Sequence, residues 1–291
     1  MNTWALRAIW ITVPVTVGDV VAHAIQTWST APRLTAGVLL WSGWAFVVTA
    51  VLVPRPLSLT ITRVGTVLAF AVAVAAVLDA TSSTLLGAAA IVVTLLAVVL
   101  GSRGEFARVC AQGAAYGDEE RFPLKVPPGL AFAIVPAAIV IIGAGIALGP
   151  LLLAAEQWIA GVLALVILVP AAIMVARLVH QLSRRWIVLV PAGLVIADPL
   201  TLTDPVLFVR NRILGLGPAD PRRPPPEAAL DLRLGAAFGS CALLLHEDAD
   251  LMRRVRGRGV GVAAHLIFVT PTALARLLAR AAARRIPVRT E

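Results

Sequence analysis

The 291-residue chain is 59% hydrophobic and only 14% charged, with a mean hydropathy of +0.90; an ordinary soluble domain carries roughly 25% charge. That balance excludes a single soluble globular domain and points to a multi-spanning membrane protein. The net charge of +9 sits between and after the apolar runs, where topology signals fall, so nucleic acid is the weaker explanation for it and no nucleic-acid partner is expected. Cys110 and Cys241 lie in different segments without a CxxC spacing, which predicts two free thiols and neither a disulfide framework nor a zinc site.

A bilayer core of ~30 Å needs about 20 apolar residues in a helix. Windows of that size predict spans near 8–26, 34–54, 64–79, 84–101, 129–149 and 157–179, a transmembrane helical domain over residues 1–183. DATSST at 79–84 reads as the turn of a helical hairpin, and 102–128 as a cytoplasmic loop. The first window carries Pro14, Asp19 and His23, and two readings of it stand. It is a retained span, or it is a signal peptide cut after Ala22-His23-Ala24, a reading that Asp19 opposes. With six spans, Arg7, Arg55, Arg63, Arg103, Arg108, Arg121, Lys125, Arg184 and Arg185 share one side and Arg33 stands alone on the other. The positive-inside rule then puts both termini in the cytoplasm and the chain in the cell membrane.

After residue 184 the apolar runs shorten to strand length. Residues 186–190 and 194–197 flank Pro-Ala-Gly, which predicts a hairpin with Gly193 free to take positive φ. Further strand-like runs cover 205–210, 230–234, 240–246 and 265–269. Thr270 followed by Pro271 predicts a helix N-cap with proline at the first helical position, and Leu274, Leu277, Leu278 and Ala281 then share one face. Residues 184–291 therefore read as a mainly β cytoplasmic domain closed by an α-helix.

A helical membrane region that feeds directly into RRWIVLVPAGLVIADP and ends on HLIFVTPTALARLLARAAARRI resembles bacterial membrane-anchored proteins with pleckstrin-homology-like (PH-like) domains. The whole layout, including AYGDEERFPLKVPP at 115–128, is similar to uncharacterised multi-pass membrane proteins of actinobacteria. The resemblance implies binding, docking or assembly at a membrane and supplies no catalytic residue. The Pro-rich insert GPADPRRPPPE at 217–227 departs from the pattern.

No P-loop, HExxH, GxSxG or His/Cys metal spacing occurs, so no catalytic, cofactor or metal site is assigned. GRGVG at 257–261 lacks the strand–turn context and the lysine of a phosphate loop. Asp19 and His23, four residues apart, share a helix face, and Asp79 lies at a similar outer depth. Together they are a candidate intramembrane proton-relay or cation site; the competing reading makes Asp79 a turn cap and leaves His23 in headgroup water. Pro14, Pro136, Pro170, Gly145 and Gly149 serve kinked packing and close helix approach before they serve transporter hinges.

Arg253, Arg254, Arg256 and Arg258 form a basic loop, and Arg276, Arg280 and Arg284 recur every four residues on the terminal helix. Both sets are candidates for anionic inner-leaflet headgroups or a membrane-protein partner. Asp118, Glu119 and Glu120 offer a competing partner in the same chain, and a solvated face is the plain alternative. The expected function is a non-enzymatic docking, scaffold or accessory protein, with a role in cell-envelope biogenesis. The alternative is a small-solute or lipid transporter that uses the outer acids.

Overall fold

The computed structural model describes residues 3–79 and 84–289. The chain divides into two compact units, Met1–Cys110 with Ile134–His180, and Ala111–Ala133 with Gln181–Glu291.

The first unit is helical: α1 Trp4–Ala24, α2 Thr30–Leu52, α3 Pro56–Asp79, α4 Thr84–Ser102, the short α5 Gly104–Gln112, α6 Val135–Ala154 and α7 Trp158–Leu182. Among the described residues six helices are long and apolar enough to cross a membrane, with mean hydropathies from 1.5 in α1 to 2.8 in α7. All six expected windows are helices. The turn expected at 79–84 falls largely on 80–83, outside the described residues. Just before α6 a π-helical turn, Leu130–Ile134, widens the backbone. Pro136 explains it, because its ring nitrogen cannot donate to the carbonyl four residues back and its ring crowds that turn.

This unit has a buried apolar core that includes Leu6, Trp10, Val13, Val20, Val47 and Leu59, and it is apolar on the outside as well. Ile11, Val15, Leu34, Phe46, Leu78, Val140 and Ile167 are exposed, whereas α3 turns Ser58, Thr60, Thr62 and Thr66 inward. The Thr60 hydroxyl meets His180 Nδ1 at 3.0 Å. An apolar outer surface with small and polar residues admitted to the interior is the arrangement a lipid solvent rewards. Helices also close on one another through small residues: a Cβ on Gly145 would fall 2.6 Å from Ala172 Cβ and 2.8 Å from the Leu168 carbonyl oxygen of α7. Gly145 and Gly149 are therefore packing residues. Trp10 and Trp44 clasp α1 to α2, each indole donating to the other's carbonyl at 3.1 and 3.0 Å.

The second unit contains two four-stranded sheets and a closing helix. In the first, β1 Glu120–Pro123, β2 Trp186–Val190, β3 Gly193–Ala197 and β4 Val206–Val209 pair antiparallel in that order. In the second the order is β5 Ile213–Pro218, β7 Cys241–Val255, β8 Arg258–Val269 and the two-residue β6 Leu230–Asp231, which runs parallel to β8. α8, Leu274–Ala283, buries Leu277 and Ala281 against a core containing Phe122, Ile187, Leu189, Leu194, Phe208, Leu243 and Ile267.

Several expectations change here. The segment 102–128 is no plain loop: it supplies α5 and β1, and β1 is an edge strand of the first sheet. The expected β2–β3 hairpin forms, with Val190 opposite Gly193 and with Pro191 and Ala192 as the turn residues. Gly193 is required for close approach, since a Cβ there would collide with the Phe208 carbonyl oxygen of β4. Thr270 does not cap the last helix, and Pro271 is not its first residue. The Thr270 hydroxyl bonds the Ala236 carbonyl, Pro271 bridges Leu124, and Thr272 N donates to Pro123 O at 2.9 Å. Residues 270–272 are thus spent on β1 and its exit before the helix can begin. β5 lies between the strand-like runs 205–210 and 230–234 and is not among the expected strands.

A buried ion pair fixes the junction of these strands. Arg185 grips Asp198 bidentately at 2.8 and 2.7 Å, donates to the Lys125 and Leu232 carbonyls, and both side chains are almost wholly excluded from solvent.

Candidate functional site

The seven arginines singled out in the sequence fall into two structural classes. Arg276 and Arg280 converge on Glu120, at 3.5 Å to Oε1 and 2.6 Å to Oε2, and Arg284 donates to the carbonyls of Leu189 and Asp118. Their spacing of four sets them on one helix face, and that face is turned to the β1 edge. The hydrogen bond and charge of Glu120 raise the Arg280 guanidinium above its ordinary value. Of the two partners foreseen for these residues, the acidic segment of the same chain holds them.

Arg253, Arg254, Arg256 and Arg258 stand differently. They surround the tip of the β7–β8 hairpin, where Val255 pairs with Arg258 across a two-residue turn of Arg256 and Gly257. Both turn residues have positive φ, 48° and 81°, the pattern of the primed turns that match strand twist. At the base of the tip Arg254 N donates to Thr201 O at 2.8 Å and Thr203 N to Met252 O at 2.9 Å. Gly259 permits this approach, for a Cβ would meet Met252 Cε at 2.9 Å and Thr203 Oγ1 at 3.1 Å.

Side chains alternate along a strand, and directly opposed residues share a face. Arg253 opposite Val260 and Val255 opposite Arg258 therefore make one face a checkerboard of two cations and two valines. Met252, Val255 and Val260 are 47, 42 and 47% exposed. No salt bridge or side-chain hydrogen bond engages the four arginines among the described residues. Arg253 acts only through space on Asp231. Burial works to raise that carboxyl, but the hydrogen bonds and charge of Arg233, with Arg253 added, hold it below its usual range. GRGVG lies in this turn and in β8, with no helix N-terminus to receive a phosphate.

The helical candidates are brought together in part. His23 Nδ1 lies 2.9 Å from the Asp19 carbonyl oxygen and 3.8 Å from Asp19 Oδ2, with both side chains half exposed. Asp79 ends α3, and among the described residues no hydrogen bond or ion pair joins it to either. Among the described residues no His, Cys, Asp and Glu group has the makings of a metal site. Cys110 and Cys241 are free and buried. Burial pushes each thiol up to about 12; the Arg63 charge and a backbone hydrogen bond from Arg55 oppose this at Cys110, and a backbone hydrogen bond from Gly217 does so at Cys241. Neither is a ready nucleophile.

Two features escaped the sequence reading. One is the Arg185–Asp198 pair, because Arg185 looked like a topology charge beside Arg184. The other is an open depression of about 420 Å³ lined by Ala192, Val209, Arg210, Asn211, Arg285 and Pro287. Three separated stretches of chain meet there, and no local pattern announces it.

No protein-family model matches this chain, and neither a curated protein nor a solved structure matches it.

Proposed function

We propose that this chain is a non-enzymatic, multi-pass docking or accessory protein of the cell membrane, with both termini and the strand-rich unit in the cytoplasm. Its β7–β8 tip rests on the anionic inner leaflet. The observation that carries the proposal is the tip itself: four arginines in no salt bridge among the described residues, interleaved with exposed Met252, Val255 and Val260. Cations that repel one another without a counter-charge are stabilised by acidic headgroups, at up to about 1 kcal/mol each, while the valines and methionine favour the acyl boundary over water. Two four-stranded sheets closed by a helix support a PH-like reading of the unit, with β1 drawn from between two helices of the first unit. The proposal includes a place in envelope biogenesis and a membrane-protein partner held beside the bilayer.

The test uses the full chain, because a fragment from residue 184 would lack β1. Val260→Cys is labelled with an environment-sensitive dye in nanodiscs of phosphatidylcholine with and without phosphatidylglycerol; the buried native thiols react slowly at neutral pH. Emission should shift blue only with phosphatidylglycerol, and the shift should vanish at high salt and in the variant with all four tip arginines replaced by Gln. An identical signal in both lipids, or in both proteins, contradicts lipid docking and favours a protein partner.

A further inference from the structure

Arg285 occupies a backbone position that a chain normally gives to glycine. α8 ends in a closed C-terminal motif in which Ile286 N donates to Ala281 O at 3.0 Å and Arg285 N to Ala282 O at 2.9 Å. This pattern places the intervening residue in the left-handed region, and Arg285 has φ 59°. Glycine or asparagine holds such a position at least cost. A residue that breaks the local preference points to a role for its side chain. Among the described residues the Arg285 side chain has no hydrogen bond or ion pair, and it lines the depression together with Arg210 and Asn211.

The opposite wall is equally specific. Arg210 donates to the Pro191 carbonyl, which anchors one end of its guanidinium, and a guanidinium carries further N–H groups that this bond does not use. No carboxylate lines the depression among the described residues. Its walls come from the β2–β3 turn, the end of β4 and the segment that leaves α8. The hairpin tip joins the second unit through Thr201 and Thr203, which lie between the other end of β3 and the start of β4. Depression and tip are thus at opposite ends of the β3–β4 pair, so a surface bound at the tip is not what fills the depression.

We propose that this depression binds a small phosphate-bearing anion, with Arg210 and Arg285 holding the phosphate oxygens and the Asn211 amide as a further donor. Two arginines lining one open space suit recognition of phosphate, which guanidinium forks can hold bidentately. The position away from the tip makes a soluble phosphate ester the source.

The probe is radiolabelled inorganic phosphate, bound at equilibrium by the full chain in phosphatidylcholine nanodiscs with chloride at matched ionic strength as competitor. One saturable site per chain is expected. Arg210→Gln and Arg285→Gln should each weaken it roughly tenfold or more. Arg285→Gly should do the same while unfolding at a higher temperature than wild type, since glycine suits that backbone conformation; loss of binding then has no origin in misfolding. The variant with all four tip arginines replaced should bind phosphate as wild type does. Phosphatidylglycerol in the nanodisc should leave phosphate binding unchanged; competition by it would overturn the soluble source. Absence of a saturable site, or equal binding by the Arg210 and Arg285 variants, would overturn the proposal.

Discussion

Arg185 and Asp198 show how one pair can govern a fold. Both are buried, and Arg185 also satisfies the Lys125 and Leu232 carbonyls, so the exit of β1, the start of β2 and the end of β6 meet on one guanidinium. Removing one partner strands the other charge in a dry site, at a cost of about 3–5 kcal/mol. Arg185→Ala or Asp198→Ala should therefore lower the stability of the second unit by that amount in denaturant unfolding, and replacement of both by Met and Leu should recover most of it. Asp231 carries a pH-dependent share. Its carboxyl is held below the usual range, so its contribution is complete above the ordinary aspartate pKa and is lost as pH falls through the lowered value. Asp231→Asn should flatten the acid side of the stability curve and leave the neutral side lower than wild type. These roles were hidden in the sequence because each depends on a contact across many residues, and Arg185 beside Arg184 is indistinguishable from an interfacial charge.

Among the elements, β1 has the widest consequences. It is only four residues long, Glu120–Pro123, yet Phe122 is wholly buried in the core and Glu120 holds two arginines of α8. Phe122→Ala should cost about 3–5 kcal/mol, and a fragment from residue 184 should show a molten sheet by near-UV circular dichroism that addition of a peptide spanning 112–128 sharpens. The long helices were legible because twenty apolar residues have few other uses, and β2 and β3 because they are continuous apolar runs cut by Pro191 and Gly193. β1 was not, having one large apolar residue in four. The outer parts of β7 and β8 were missed for a different reason: with Arg253, Arg254 and Arg258 and Gly257, Gly259 and Gly261 they are exposed on both faces, so neither alternation nor propensity marks them as strand. The tip arginines were found from charge alone, and the hairpin that groups them was not.

At the scale of the molecule, six apolar helices with some polar residues turned inward support the proposed multi-pass arrangement, and the arginine distribution supports the proposed orientation. Gly257→Cys in intact cells should resist an impermeant maleimide until the membrane is permeabilised, while Ser29→Cys between α1 and α2 should react at once. The reverse pattern would place the hairpin outside the cell. The central claim, that the hairpin tip lies at an anionic bilayer surface, is tested most directly by the depth of the tip. With a spin label at Val255→Cys in the full chain, collisions with lipid-soluble oxygen and with a water-soluble nickel chelate report where the side chain sits. In nanodiscs containing phosphatidylglycerol the account predicts oxygen access to dominate, and nickel access to return when the four tip arginines are replaced by Gln. Dominant nickel access in wild type, unchanged by lipid charge, would contradict it.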